Sequence, residues 1–270
     1  MNIAITGGAR GIGRATAEAA VAAGHRVAIA DLDLELTQAA AAEIGGGSGD
    51  VVGFAVDVRD AASFEAFLAG AEEALARLDA LVNNAGVAFL SRFADEDPER
   101  TEHTVAVNLL GVMTGTRLAL DRFLPRRRGH IVNIASSAGQ IAPANGATYA
   151  ATKHGVVGFT RALRAEVRDD GIRTTIVMPG IIDTEMIGGF AKARATRTIP
   201  ASAVGEGIVD ALRTGKQELF VPRELGPVAR LIAGLPPRAS DGLKKLAGAD
   251  GVMTDADMSA RKAYEERADS

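Results

Sequence analysis

Two side chains in the stretch ATYAATKH, Tyr149 and Lys153, stand four residues apart. On an α-helix that spacing stacks them on one face, so the lysine ammonium lies near the phenol and favours its ionised form. A phenolate is a base, but an ordinary phenol ionises only near a pKa of about 10. Bringing it close to 7 takes about 3 units, roughly 4 kcal/mol of preference for the anion. A charge at about 4 Å supplies about 1 kcal/mol of this in bulk water and about 4 kcal/mol at an effective dielectric near 20. The pair is therefore a proton-transfer device only inside a partly dry cleft. On an open helix face it is an ordinary amphipathic pair.

A second chemical signal is TGGARGIG, residues 6–13. Gly7, Gly11 and Gly13, with Arg10 and Ile12 between them, follow T-G-x-x-x-G-x-G rather than the commoner G-x-G-x-x-G. Between a strand and a helix, such a turn lets the backbone approach a pyrophosphate whose charge meets the helix N-terminus. Without further context it is only a glycine-rich turn. Asp31 provides context, since it ends the second apolar run 18 residues after Gly13. A carboxylate there accepts hydrogen bonds from ribose hydroxyls. It also repels a 2′-phosphate, by about 4 kcal/mol at close range in a partly dry site. Arg10 pulls the other way, as a cation able to pair with that phosphate. The reading is NAD, with NADP as the alternative.

These residues need elements to position them. Short apolar runs rich in Val and Ile recur at 2–6, 26–30, 51–56, 80–84, 130–135, 173–178 and 218–221. Stretches of helical periodicity separate them, near 12–23, 34–44, 61–76, 99–124, 149–168 and 202–214. Strand and helix in this alternation predict an α/β fold, a doubly wound parallel sheet of about seven strands with helices on both faces. GGGSG (45–49) reads as a flexible connection between a helix and a strand. The expected division is a dinucleotide-binding and catalytic domain over 1–222 and a helical extension over 223–270.

Composition narrows the function classes. With 270 residues, 47% hydrophobic and 24% charged, the chain is of ordinary globular make-up. A net charge of −4 gives no reason to expect a nucleic-acid partner. The absence of cysteine excludes disulfides, thiolate metal sites and cysteine nucleophiles. His25, His103, His130 and His154 are scattered, so no metal is expected. A strand beginning at Asn2 leaves no room for a signal region, and no apolar run is long enough to span a membrane. A soluble cytoplasmic protein is the expectation.

The glycine turn, NNAG at 83–86, Tyr149 with Lys153 and the Pro179–Gly180 pair stand together in the order and spacing of one family. Over about residues 1–222 the chain resembles the short-chain dehydrogenase/reductases. That resemblance implies a Rossmann-type fold and an oxidoreductase moving a hydride between a nicotinamide cofactor and a secondary alcohol or ketone. The cofactor takes the hydride and the protein supplies the base, with Tyr149 as general acid/base. Carried over by motif, Ser136, which lies 13 residues before Tyr149, is the catalytic serine and stabilises charge on the substrate oxygen. Asn108, in VAVNLLG, completes a catalytic set with Tyr149 and Lys153, holding a water that links Lys153 to solvent. The cofactor is expected against Asn83, Asn84, Ala85 and Gly86, with its adenine at Asp57 and Val58. The nicotinamide amide is expected at Pro179, Gly180, Ile181, Ile182 and Thr184. The resemblance also implies a homodimer or homotetramer. The alternatives are an NADP-dependent carbonyl reductase and a catalytically silent cofactor-binding regulator.

Ligands of α/β sheets bind beyond the carboxyl ends of the strands. The segments there, 87–96, 137–147 and 181–200, offer Leu90, Phe93, Ile141, Ala142, Pro143, Met186, Ile187 and Phe190 and few fixed charges. An apolar alcohol or ketone is the expected substrate. The stretch 183–200, with two adjacent glycines and mixed charge, has the make-up of a lid. The chain departs from the family pattern after residue 221. Its tail carries VARLIAGLP (228–236), expected to cap the cleft or to meet a partner subunit.

Overall fold

The computed structural model describes residues 1–190, 198–246 and 251–269. Nine strands occur among them: β1 (Asn2–Thr6), β2 (Arg26–Asp31), β3 (Val51–Ala55), β4 (Ala80–Asn83), β5 (Gly129–Ile134), β6 (Ile172–Pro179), the short β7 (Ile182–Asp183) and β8 (Ile199–Pro200), and β9 (Glu218–Val221). Seven form one parallel sheet in the order β3-β2-β1-β4-β5-β6-β9, and β7 pairs with β8. These seven are the apolar runs of the sequence, displaced by a residue or so at their ends.

The helices are α1 (Gly11–Ala22), α2 (Leu34–Gly45), α3 (Ala61–Leu75), α4 (Pro98–Val105), α5 (Gly111–Phe123), α6 (Ala147–Val167), α7 (Ala201–Thr214), α8 (Leu225–Ala233), α9 (Pro237–Leu246), α10 (Gly251–Thr254) and α11 (Met258–Ala268). Aspartates cap several of them. Asp33 accepts from the Leu36 amide, Asp60 from Ala62 and Ser63, and Asp257 from Ser259 and Ala260, satisfying amides that the first helical turn leaves open. Among the described residues, no helix is long and apolar enough to cross a membrane.

Alternation along the strands builds two cores. On one face Ile3, Ile5, Val27 and Ile29 pack with residues of α1 and α7, including Ala17, Val204 and Ile208. On the other, Ala4 and Ala28 face Phe64, Phe67 and Leu68 of α3 and Phe123 of α5. Side chains on both faces of β1 and β2 are fully buried, as in a sheet covered on both sides.

One expected helix is divided. The periodic stretch 99–124 forms α4 and α5 joined by a π-helical turn over Ala106–Leu110. Asn108 lies in that turn, and its side chain bonds to the Val87 backbone in the neighbouring loop. The extra residue of a π turn redirects side chains without ending the helix.

Candidate active site

In the sheet order, the chain leaves β1 toward β2 on one side and returns through β4 on the other, opening a crevice at their carboxyl ends. A cavity of about 640 Å³ lies there. All the residues expected beside the cofactor border it except Asn83 and Gly13. Asn83 points into the core, where its amide donates to Thr116 Oγ1 and Asn133 Oδ1. Its neighbour Asn84, on the opposite side of the strand, faces the crevice and ties down the glycine turn, donating at 2.9 Å to the carbonyls of Thr6 and Gly7. The Thr6 hydroxyl in turn accepts from the amides of Asn84 and Ala85 at 3.1 Å each.

The turn has no room for side chains. Gly7 holds φ of 64°, and a Cβ there would meet Ala85 Cα at 2.9 Å. At Gly13 a Cβ would come within 2.0 Å of the Gly7 carbonyl oxygen. Gly13 therefore packs α1 onto the turn and does not reach the cavity. Helix α1 begins beside the cavity with no side chain capping its amides and no acidic residue in its first turn, which leaves its positive end for a ligand. A bare backbone, an open helix N-terminus and the Asp31 carboxylate bordering the same space are the donors and acceptors a dinucleotide requires. The residues fit the group.

Charges at the rim are already paired. Asp31 accepts from the amides of Ala9 and Leu32. Arg10 forms an ion pair at 3.1 Å with Glu185, which also receives Arg267 at 2.7 Å. Asp57 is held by Arg59 at 2.8 Å, and that hydrogen-bonded guanidinium keeps the carboxyl below its usual range.

Deeper in the cavity, Ser136 follows β5 and Tyr149 and Lys153 lie in the first turns of α6. Ser136 Oγ accepts from the Ala138 amide at 3.1 Å, and its hydroxyl lies beside the Tyr149 phenol, where it opposes the rise in that group's pKa. Lys153 is 4% exposed; its Nζ donates to the Ile134 carbonyl at 3.1 Å and lies 5.6 Å from the centroid of the Tyr149 ring. The pair is thus sheltered, as the size of the required shift demands. The directions of ionisation nevertheless differ from the sequence expectation of a phenol near neutrality. Burial raises the Tyr149 pKa, with the Ser136 hydrogen bond opposing it, and burial lowers Lys153 to about 8. Desolvation is the larger effect on Tyr149 and the cause of the shift at Lys153.

Asn108 does not reach the cavity. It is fully buried. Its Oδ1 accepts from the Val87 amide at 2.8 Å, while Nδ2 donates to the Val87 carbonyl at 2.8 Å and to Thr152 Oγ1 at 3.4 Å. Both amide protons are used, so the side chain fixes the loop beside Lys153 rather than holding a water from Nδ2. Gly86 completes the contact, since a Cβ there would stand 3.1 Å from Asn108 Oδ1 and 3.6 Å from Lys153 Nζ.

The sequence profile described as short chain dehydrogenase matches residues 1–195. The chain belongs to that family. It is similar to 2-(S)-hydroxypropyl-CoM dehydrogenase 3 of Xanthobacter autotrophicus, with 38% identity over 186 residues, covering 69% of this chain and 73% of the relative. A short-chain dehydrogenase/reductase from Burkholderia phymatum in complex with NAD superposes with a TM-score of 0.77 at 25% identity, over 85% of this chain and 92% of the other. An alcohol dehydrogenase from the archaeon Thermococcus sibiricus, complexed with 5-hydroxy-NADP, superposes at 0.74 with 26% identity, over 82% and 95% of the two chains.

In this short-chain dehydrogenase the tail beyond the matched residues also builds the site. Ile141, Ala142, Pro143, Met186, Ile187 and Phe190 line the cavity as expected. Leu90 and Phe93 do not. Leu90 turns to a neighbouring depression, and Phe93 is 66% exposed. The cavity is also lined by Leu225, Val228 and Ile232 of α8, by Met253, and by Tyr264 of α11. VARLIAGLP thus meets the cleft through Val228 and Ile232, while Leu231 is 62% exposed. Of the stretch 183–200 expected as a lid, residues 191–197 lie outside the described residues.

Sequence reading missed Arg261, which is completely buried. It donates to the carbonyls of Ala88 and Met186 at 2.8 Å each and of Gly188 at 3.2 Å, and pairs with Glu265 at 3.2 Å. It thereby binds α11 to the loop after β4 and to the loop after β7. The one local signal was the Arg261–Glu265 spacing of four on a polar helix.

Proposed function

We propose that this short-chain dehydrogenase moves a hydride between NAD and an apolar secondary alcohol or ketone, with Tyr149 carrying the proton. The observation behind this reading is that Ser136, Tyr149 and the buried Lys153 share one cavity with the glycine turn. A buried ammonium with only a carbonyl for a hydrogen-bond partner among the described residues is costly, and a protein that merely bound a cofactor would have no use for it.

The glycine turn and α1 would hold the pyrophosphate, Asp31 the adenosine ribose, and Asp57 with Val58 the adenine. Asn84, Ala85, Gly86, Pro179, Gly180, Ile182 and Thr184 would surround the nicotinamide half. When bound, the cofactor supplies the hydride acceptor or donor and, oxidised, a positive charge that favours the phenolate. In alcohol oxidation Tyr149 accepts the hydroxyl proton as the hydride leaves the carbon. Ser136 turns its single proton toward the same oxygen and stabilises the charge that develops there. Lys153 stabilises the phenolate through space. In reduction the protonated Tyr149, the form its burial favours, donates to the carbonyl oxygen. Asn108 positions the 84–87 loop against Lys153 and touches no reactant.

NAD rather than NADP is supported by Asp31 and by the pairing of Arg10 with Glu185, which engages the one cation of the glycine turn. The apolar substrate is supported by Ile141, Met186, Ile187, Phe190 and Val228. Screening secondary alcohols for NADH formation tests the reading. Formation with NAD supports it, and a protein that binds NAD yet oxidises no alcohol and reduces no ketone contradicts it.

A further inference from the structure

The chain contains two tyrosines, and both border the same cavity. Tyr149 belongs to the chemistry above; Tyr264, 176 residues from the loop it touches, comes from α11. Its hydroxyl oxygen accepts from the Ala88 amide at 2.9 Å. A phenol hydroxyl is one donor as well as an acceptor, and among the described residues nothing takes the proton of Tyr264. A sheltered phenol ordinarily finds such an acceptor. The Tyr149 phenol helps to push the Tyr264 pKa up, after burial as the main cause.

The donor is held rigidly. Ala88 is gripped from both sides by α11, its amide by Tyr264 and its carbonyl by Arg261. The Arg261 guanidinium also lies 5.2 Å from the centroid of the Tyr264 ring and 5.0 Å from that of Phe190. The neighbouring wall, Ile141, Pro143, Met186, Ile187 and Phe190, is apolar. A single oriented donor in an apolar wall fixes a ligand's orientation because leaving it unpaired is costly.

We infer that Tyr264 is a substrate-recognition residue whose hydroxyl donates a hydrogen bond to a second oxygen of the substrate. The substrate class is then an otherwise apolar alcohol or ketone carrying a further hydroxyl, carbonyl or ether oxygen away from the reacting carbon. This rests on the alcohol and ketone reading of the cleft and narrows it. Burial pushes the Tyr264 phenol up to about 12, so it remains a donor throughout the neutral range.

The test compares cyclohexanone with the isomeric hydroxycyclohexanones, in wild type and in Tyr264→Phe, with the cofactor present. Affinity is measured by calorimetry and kcat/KM by cofactor absorbance. The account expects at least one hydroxycyclohexanone to be preferred by wild type. Tyr264→Phe reduces that preference ratio roughly tenfold, the size of one hydrogen bond lost against an unpaired partner. A ratio that Tyr264→Phe leaves unchanged overturns the inference, as does a wild type with no preference for any hydroxycyclohexanone. A purely structural role would lower affinity for every ligand by one factor and leave the ratio alone. Because calorimetry needs no turnover, failure to reduce any of these ketones counts against the proposed reaction, while the affinity ratio still decides the role of Tyr264.

Discussion

The ammonium of Lys153 stands 5.6 Å from the centre of the Tyr149 ring and, among the described residues, is hydrogen-bonded only to the Ile134 carbonyl. Burial lowers its pKa to about 8 from 10.5. The group is therefore kept charged near neutrality at the expense of stability.

Lys153→Met should accordingly stabilise the cofactor-free protein near neutrality. Between the folded value of about 8 and the unfolded 10.5, the unfolded chain binds more protons, so wild-type stability rises with pH through that window. The advantage of Lys153→Met is full below about pH 8, where it amounts to at most about 3 kcal/mol, and shrinks above it. Denaturant unfolding at about pH 7 and about pH 9 measures it. A variant less stable than wild type at both, or an advantage that grows with pH, would contradict the assignment. Turnover should be lost in the same variant.

Cofactor choice should move with the rim charges. Asp31→Ala removes the repulsion of a 2′-phosphate, and Glu185→Gln releases Arg10 from its 3.1 Å pair. Each should raise kcat/KM with NADP relative to NAD, by roughly tenfold or more for Asp31→Ala, since about 1.4 kcal/mol suffices for a factor of ten. Steady-state titration of both cofactors reads this, and an unchanged ratio in Asp31→Ala would remove the argument for NAD.

Arg261→Leu tests the attachment of α11. It leaves the Ala88, Met186 and Gly188 carbonyls without the guanidinium that donates to them and removes one of the two arginines on Glu265 among the described residues, the other being Arg100. A loss of about 3 kcal/mol is expected, typical of breaking a buried charged contact, with a higher KM for substrate because the 186–190 wall is no longer held. Unfolding curves and steady-state kinetics report the two effects. Wild-type stability in this variant would show that the tail does not depend on Arg261.

Much of this architecture is visible in the sequence because its signals are local. Strands buried on both faces read as continuous Val and Ile runs, and a turn that must be bare reads as glycine at Gly7 and Gly13. The residues that sequence misplaced lack a period. Leu90 and Phe93 lie in an irregular loop whose direction is set by tertiary contacts, with Phe93 turned to solvent. The π turn at Asn108 adds one residue to a helix whose apolar pattern tolerates it. Asn83 and Asn84 are adjacent and chemically identical, and only their opposite orientations send one into the core and the other to the glycine turn. Arg261 and Tyr264 contact Ala88 from 173 and 176 residues away, a juxtaposition with no local trace. The raised Tyr149 pKa was likewise illegible, because spacing reports the lysine charge and not the depth at which both groups are buried.

The central claim is that Tyr149 carries the proton, and replacing its hydroxyl with hydrogen tests it most directly. In Tyr149→Phe, alcohol-dependent NADH formation and the calorimetric Kd for NAD are measured together. The account predicts a kcat lower by about 10²–10⁴-fold, the usual contribution of a general acid/base, with cofactor affinity within about twofold, well under the 1.4 kcal/mol of a tenfold change. Turnover close to wild type in this variant, with NAD still bound, would contradict it.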